Sequence, residues 1–380
     1  MPAPDAKASI DHRLALSALD AKGVGPVAAR RLIAAFGAAE HVFAQPVDLL
    51  IEAGASAGAA RAIASFDEWD RVAAAKSTLA AIGARVISID DDDYPAPLRA
   101  LDDAPPLLYA LGEWRGEDHL AVAMVGTRNP TDYGLRVARS LAREFAEAGL
   151  AVVSGLALGI DTACHEGALA APGGRTLAVL GSGIDNITPR SNAGLARMIA
   201  DGRGSVITEF FPGMQSFPHN FPRRNRLISG LAMGVVVIEA GEKSGTLHTV
   251  DYANRQGKPV FALPGPIDSP ASRGTNALIR DGAPPVTEAM DVIAQILPEF
   301  ARRERVPTPP RLDAEHHKRS FGLTGEPASV LEALSLEPRH IDDLAGATGL
   351  PAQRLLTILL ELELRGAIRA RPGGHYVLNL

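Results

Sequence analysis

Ala121-Val-Ala-Met-Val125, then Gly126-Thr-Arg-Asn-Pro130, then the stretch from Tyr133 to Ala148 reads as a strand, a glycine-opened loop and a helix. The five apolar residues do not alternate with polar ones, which is the mark of a strand covered on both faces and hence of a parallel sheet between helical layers. Seven further apolar runs surround it: Arg85–Ile89, Leu107–Leu111, Ala151–Val153, Thr176–Leu180, Val206–Thr208, Val235–Glu239 and Val260–Leu263. Helical stretches are expected between the later ones, at Ile160–Ala170, Ala193–Ala200, Asn225–Ala232 and Thr246–Arg255. Strand, loop and helix in repetition predict an α/β, Rossmann-like, doubly wound and mostly parallel sheet over residues 84–300, with ligands expected at the carboxyl ends of the strands.

The strand ends carry small residues. Gly126-Thr127-Arg128, Ser154-Gly155, Gly181-Ser182-Gly183, Ser244-Gly245-Thr246 and Gly265 stand there in succession. Glycine lets backbone N–H groups approach an oxyanion, and the following helix start adds its dipole. Between two such loops lies Phe217-Pro-His-Asn-Phe-Pro-Arg-Arg-Asn-Arg-Leu-Ile-Ser-Gly-Leu231. Its Arg223, Arg224 and Arg226 surround Asn225 without a neighbouring acid, and Pro222 suits the first position of a helix. Guanidinium forks there are expected to meet phosphate. Phe210, Phe211, Phe217 and Phe221 flank the motif as candidates for base stacking, with at least two expected to pack beneath it.

The chain has 380 residues, of which 46% are hydrophobic, enough for two or three domains. Residues 1–9 read as a disordered tail and 10–82 as a small helical domain of the helix-hairpin-helix or SAM kind, with a tight turn at Gly23-Val-Gly25-Pro26. Residues 301–325 are charged and proline-rich and read as a linker. Three helices and a hairpin in 326–380 predict a winged helix. Its five arginines against seven acids, and the leucine-rich third helix from Gln353 to Arg365, favour packing or protein contact over duplex reading.

The net charge of −6 excludes a polycation that coats nucleic acid, so any such binding must be focused on a local cluster. With a single cysteine, Cys164, no disulfide can form within the chain, which fits a reducing cytoplasm. No apolar run reaches the length of a membrane span, and the amino-terminal residues lack the layout of a signal peptide. The phosphate-binding motif GxxxxGK[ST] is absent, and Gly181-Ser-Gly183 lacks the third glycine of the dinucleotide fingerprint. Cys164 and His165 read as a buried structural pair; Asp161, Glu209 and Glu239 read as orienting groups. Neither a catalytic group, a metal site nor a cofactor is expected.

Val125-Gly-Thr-Arg-Asn-Pro-Thr131 with Tyr133-Gly134, Val153-Ser-Gly-Leu-Ala-Leu-Gly-Ile-Asp161, Ala178-Val-Leu-Gly-Ser-Gly183, Phe221-Pro-Arg-Arg-Asn-Arg-Leu-Ile-Ser-Gly230, Ser244-Gly-Thr246 and Val260-Phe-Ala-Leu-Pro-Gly265 together resemble the bacterial DNA-processing protein A family (DprA/Smf), over roughly residues 94 to 285. The resemblance implies a cytoplasmic, non-enzymatic homodimer of natural transformation that binds and protects incoming single-stranded DNA and helps load the RecA recombinase. It also implies DNA contacts at Gly126, Thr127 and Arg128, at Gly181 to Gly183, and at Arg223, Asn225 and Arg226. Thr188-Pro189 stands where the family commonly has Tyr-Pro, which removes an aromatic; Arg190 follows and remains usable for phosphate. Two rival readings stay open at this point. One is a nucleotide-processing phosphoribohydrolase-like enzyme, whose glycine loop Ser244-Gly-Thr246 partly echoes; the other is a duplex-DNA regulator acting through the winged helix.

Overall fold

A computed structural model describes residues 6–242, 244–298, 323, 325–334, 338–371 and 373–378. The chain divides into two compact units, Met1–Glu299 and Phe300–Leu380.

The first unit is built on one eight-stranded sheet. Its strands are β1 (Arg85–Ser88), β2 (Leu107–Gly112), β3 (Ala121–Val125), β4 (Ala151–Ser154), β5 (Thr176–Val179), β6 (Gly204–Thr208), β7 (Gly234–Val237) and β8 (Val260–Ala262), in the spatial order β1-β2-β6-β5-β4-β3-β7-β8. The six strands from β3 onward are parallel, while β2 joins β6 and β1 joins β2 antiparallel. Every residue of β3 to β7 is buried, so the uniformly apolar runs have their cause in two covered faces. After β3 the chain steps outward through β4, β5 and β6, then returns to place β7 on the other side of β3. Loops leaving β3 and β7 therefore diverge, and a crevice opens at their carboxyl ends.

Six helices precede the sheet: α1 (Ala6–Ala18), α2 (Pro26–Phe36), α3 (Ala39–Phe43), α4 (Val47–Glu52), α5 (Ala57–Ala64) and α6 (Trp69–Ala81). They have a core of their own around Leu16, Leu32, Val42 and Ile63. A second apolar cluster joins Leu14, Val72 and Leu79 from these helices to Tyr109, Leu180 and Phe211 of the sheet unit. The Tyr109 hydroxyl donates to Ser17 Oγ at 3.0 Å. The helices thus belong to the first compact unit, and the boundary near residue 83 is a change of pattern rather than a gap in packing. Gly23 takes a left-handed φ of +93° and Pro26 opens α2, which makes the turn a helix connection. Of the expected disordered tail, residues 1–5 lie outside the described residues; α1 already runs from Ala6.

The following helices are α7 (Ala96–Arg99), α8 (Asp132–Glu147), α9 (Ile160–Ala170), α10 (Ala193–Ala200), α11 (Asn220–Leu231), α12 (Leu247–Arg255), α13 (Arg273–Arg280) and α14 (Ala289–Ile296). Helix α11 begins earlier than its sequence suggests. Pro222 is its third residue rather than its first, with His219 as the N-cap, so the arginines sit in the first and second turns rather than all in the opening one.

The second unit contains the helices Glu326–Glu332, Ile341–Thr348 and Ala352–Leu364 with the strands β9 (Arg339–His340), β10 (Ile368–Arg371) and β11 (His375–Leu378), which is a winged helix. Leu355, Ile358, Leu359 and Leu362 of the third helix are buried, whereas Leu356, Leu360 and Leu364 are exposed. The expected linker, 301–325, lies outside the described residues apart from Leu323 and Gly325.

Candidate nucleic-acid interface

The crevice at the ends of β3 and β7 is an open cleft of about 490 Å³. The β3–α8 loop (Gly126, Thr127, Arg128, Asn129), the start of α11 (Phe221, Arg224, Asn225) and the approach to α12 (Ser244, Gly245, Thr246) form its walls. Ala157, from the β4–α9 connection, and Asp161, in the first turn of α9, contribute to the lining as well, as do Pro218, Pro222, Ile228, His248 and Thr249.

Its polar centre is a guanidinium inside a cage of carbonyls. Arg224 is buried, and its Nη1 donates to Gly155 O at 2.7 Å and to Val179 O, while Nε donates to Asn225 Oδ1 at 3.2 Å. Burial draws this guanidinium down to about 10, against the opposing pull of Asp161 and with Arg128 acting in the same direction as burial; it still carries its charge at neutral pH. Asp161 accepts from Gly155 N and Ala157 N at 3.2 and 3.3 Å. Its carboxyl is pushed above the ordinary value by burial, with Arg224 opposing. A β-carbon on Gly155 would lie 2.5 Å from Arg224 Nη2, so glycine is needed there to admit the guanidinium. At Gly126 the β-carbon would lie 2.6 Å from Ile160, so this loop too fits only without a side chain.

Phe221 joins the two cleft arginines. The guanidinium of exposed Arg128 lies 4.6 Å from the centre of its ring, and that of Arg224 lies 5.9 Å from it. Beneath the ring is Gly181, whose β-carbon would come 3.1 Å from Phe221 Cδ1. Both guanidinium groups lie within cation–π range of this half-buried ring.

The other two arginines are placed differently. Arg226 turns away from the cleft, donating to the Glu209 carboxylate and, at 2.9 Å, to Asp103 O. Arg223 pairs with Asp20 at 2.6 Å, and its Nε is 3.5 Å from Glu209 Oε1. The motif is therefore not free of acids: Glu209, Asp20 and Asp103 approach from distant parts of the chain and neutralise two of the three charges. Burial pushes the Glu209 carboxyl above its ordinary value, with Arg226 and then Arg223 opposing. Arg128 and Arg226 do not share one groove.

Of the remaining expected residues, Gly126, Thr127, Asn225, Ser244, Gly245 and Thr246 line the cleft with Arg128 and Arg224; Ser154, Gly155, Gly181, Ser182, Gly183, Arg190 and Gly265 do not. Ser154 Oγ donates to Met124 O and Ser182 Oγ to Asn186 O, each at 2.7 Å, so both hydroxyls tie backbone. Gly265 exchanges two hydrogen bonds with the Asn276 amide. Arg190 is exposed ahead of α10. The cleft also gains residues the sequence did not single out for it, notably Asn129 and the exposed His248, one helical position past Leu247; their polar types carry no distinctive spacing.

Two backbone amides of the β3–α8 loop are already engaged within the protein. Thr127 N donates to Glu239 O and Asn129 N to Thr127 Oγ1. The Glu239 carboxylate accepts from Thr131 N at 2.9 Å and from Thr131 Oγ1 at 2.5 Å, which clamps β7 to the loop after β3. Among the described residues, no group of three His, Cys, Asp or Glu is gathered to hold a metal ion. His165 is buried with Nδ1 2.7 Å from Thr176 Oγ1, beside buried Cys164 and outside the cleft.

Residues 85–297 match the family model of DNA recombination-mediator protein A, and residues 307–374 match the DprA winged helix domain. Protein Smf of Escherichia coli is 38% identical over 294 residues, covering 77% of each chain. DNA processing protein DprA of Bacillus subtilis is 39% identical over 221 residues, 57% of this chain and 72% of that one. Among solved structures, DNA processing protein A of Streptococcus pneumoniae superposes with a TM-score of 0.62 at 33% identity, covering 74% of this chain and 95% of that one. The Helicobacter pylori protein of that name, solved to reveal its single-stranded DNA binding mode, gives 0.51 at 31% identity, covering 57% and 96%. With its central sheet and its winged helix both matched, this chain belongs to the DNA recombination-mediator protein A (DprA/Smf) family.

Proposed function

We propose that this chain binds single-stranded DNA in the cleft between β3 and β7, and that it acts in natural transformation by protecting incoming DNA and helping to load RecA, as a cytoplasmic homodimer. The observation that carries the reading is the Arg128–Phe221–Arg224 arrangement. Guanidinium groups address phosphate, and an aromatic face addresses a base whose own face is uncovered. In a duplex, bases are stacked on one another, and such a platform has nothing to receive. Phosphate contacts and stacking carry no sequence code, so binding is tolerant of sequence. Support for binding rather than turnover comes from the acids: Glu239 is spent on Thr131, and Asp161 on two backbone amides.

Titration of labelled single strands and duplexes at several salt concentrations tests the reading. Single strands of mixed sequence should bind more tightly than duplex, with affinity falling steeply as salt rises. Equal affinity for duplex would refute it. Sedimentation tests the dimer, and RecA filament formation on single strands with and without the protein tests the loading role.

A further inference from the structure

Immediately before α11, Phe217 and His219 stand with ring centres 5.6 Å apart and planes within 5° of parallel. Both are exposed, Phe217 to 48%. Pro218, between them, lines the cleft, and Phe221 lies four residues further on. The turn is held from below: buried Asn220 donates through Nδ2 to Gly181 O at 3.0 Å and to Gln215 O at 3.2 Å, and its N–H donates to Phe217 O at 3.0 Å. Large apolar rings normally turn inward, as Phe210 and Phe211 do in the preceding segment. Here a hydrogen-bonded turn presents a flat aromatic pair to solvent at the edge of an arginine-lined cleft.

We infer that the Phe217–His219 pair is a second base-stacking subsite, receiving a nucleobase of the strand as it leaves the cleft past Pro218. The inference rests on the proposed single-strand binding and adds to it a position outside the cleft lining. Four residues of chain extend over at most about 14 Å, so the pair and Phe221 lie within reach of neighbouring nucleotides on one strand. Parallel rings already in contact lose little freedom on receiving a third, and stacking accepts any base.

Affinity for an oligonucleotide is measured with wild type, F217A/H219A and F217Y, each against an ordinary strand and one carrying abasic positions through its length. Wild type should prefer the base-containing strand. The double variant should lose about five- to a hundredfold on that strand while changing little on the abasic one, and F217Y should behave as wild type. As a check independent of the alanine variants, F217W should show indole quenching with the base-containing strand and none with the abasic strand. Failure of wild type to bind any single strand overturns the proposed function itself. Tight wild-type binding with equal losses on both strands, or with no loss, overturns the subsite alone.

Discussion

Replacing Arg226 with alanine should act on stability and leave the cleft between β3 and β7 chemically intact. Its guanidinium pairs with Glu209, the two side chains being 5% and 1% exposed. Removal of one member of a buried pair leaves an uncompensated charge, at a cost of about 3–5 kcal/mol. Glu209 keeps a second cation, Arg223, at 3.5 Å, which places the loss toward the lower end. At about 2–4 °C per kcal/mol a loss of about 3 kcal/mol should lower the melting temperature by roughly 6–12 °C. The pH dependence follows from Glu209. Burial already lifts its carboxyl above the ordinary 4.5, and Arg226 is the largest opposing charge. Without Arg226 the folded protein holds that proton to higher pH than the unfolded chain does, so the deficit is small in acid and grows as pH rises above 4.5. Replacement of both partners, as E209M/R226M, should restore much of the loss because neither member of the pair is left without its partner, while Arg223 keeps Asp20. Thermal melting between acid and neutral pH, with a single-strand titration at low temperature, reads both effects. Melting within about 1 °C of wild type together with a large loss of DNA affinity would refute the reasoning, since it would put the Arg226 side chain on the ligand.

Arg128→Ala should behave in the opposite way, weakening single-strand binding by about 1.5–3 kcal/mol with no change in melting, because the side chain is exposed and faces the cleft; unchanged affinity in a binding titration removes it from the site. His165, pushed down to about 3 by burial, stays neutral in the folded protein while its unfolded counterpart takes a proton below 6.5. Stability should therefore fall as pH drops from 6.5 toward 3, by up to about 1.4 kcal/mol per pH unit, and denaturant midpoints of H165L should show a shallower slope over that window. A chain ending at residue 299 should keep most of the single-strand affinity and most of its salt dependence, since the winged helix region has five arginines against seven acids; loss of both in the truncated protein would assign the binding to the winged helix.

The sheet was legible in the sequence because burial of both faces leaves a one-dimensional trace. Each of the eight apolar runs became a strand with ends shifted by no more than two residues. The start of α11 left no such trace: His219 makes no capping hydrogen bond, and Pro222 drew attention to a helix already under way. The arginines were legible as a cluster and illegible as individuals. Their fates depend on Asp20, Asp103 and Glu209, which lie 203, 123 and 17 positions from the groups they bind. Charge counted over a local window cannot see such partners. Nor can it see that Arg224 enters through the space left by Gly155, because that fit is decided by three-dimensional packing alone.

The apolar cluster shared by the leading helices and the sheet has a practical consequence for excision. Composition invites a cut near residue 83, where helical pattern gives way to strand. Such a cut would strip cover from Tyr109, Leu180 and Phe211 and remove the hydroxyl partner of Tyr109. It would also release Arg223 from Asp20 and so alter the charge beside the arginine helix. An isolated sheet fragment would then be prone to self-association through its bared face, and its affinity for polyanions would overstate that of the intact chain.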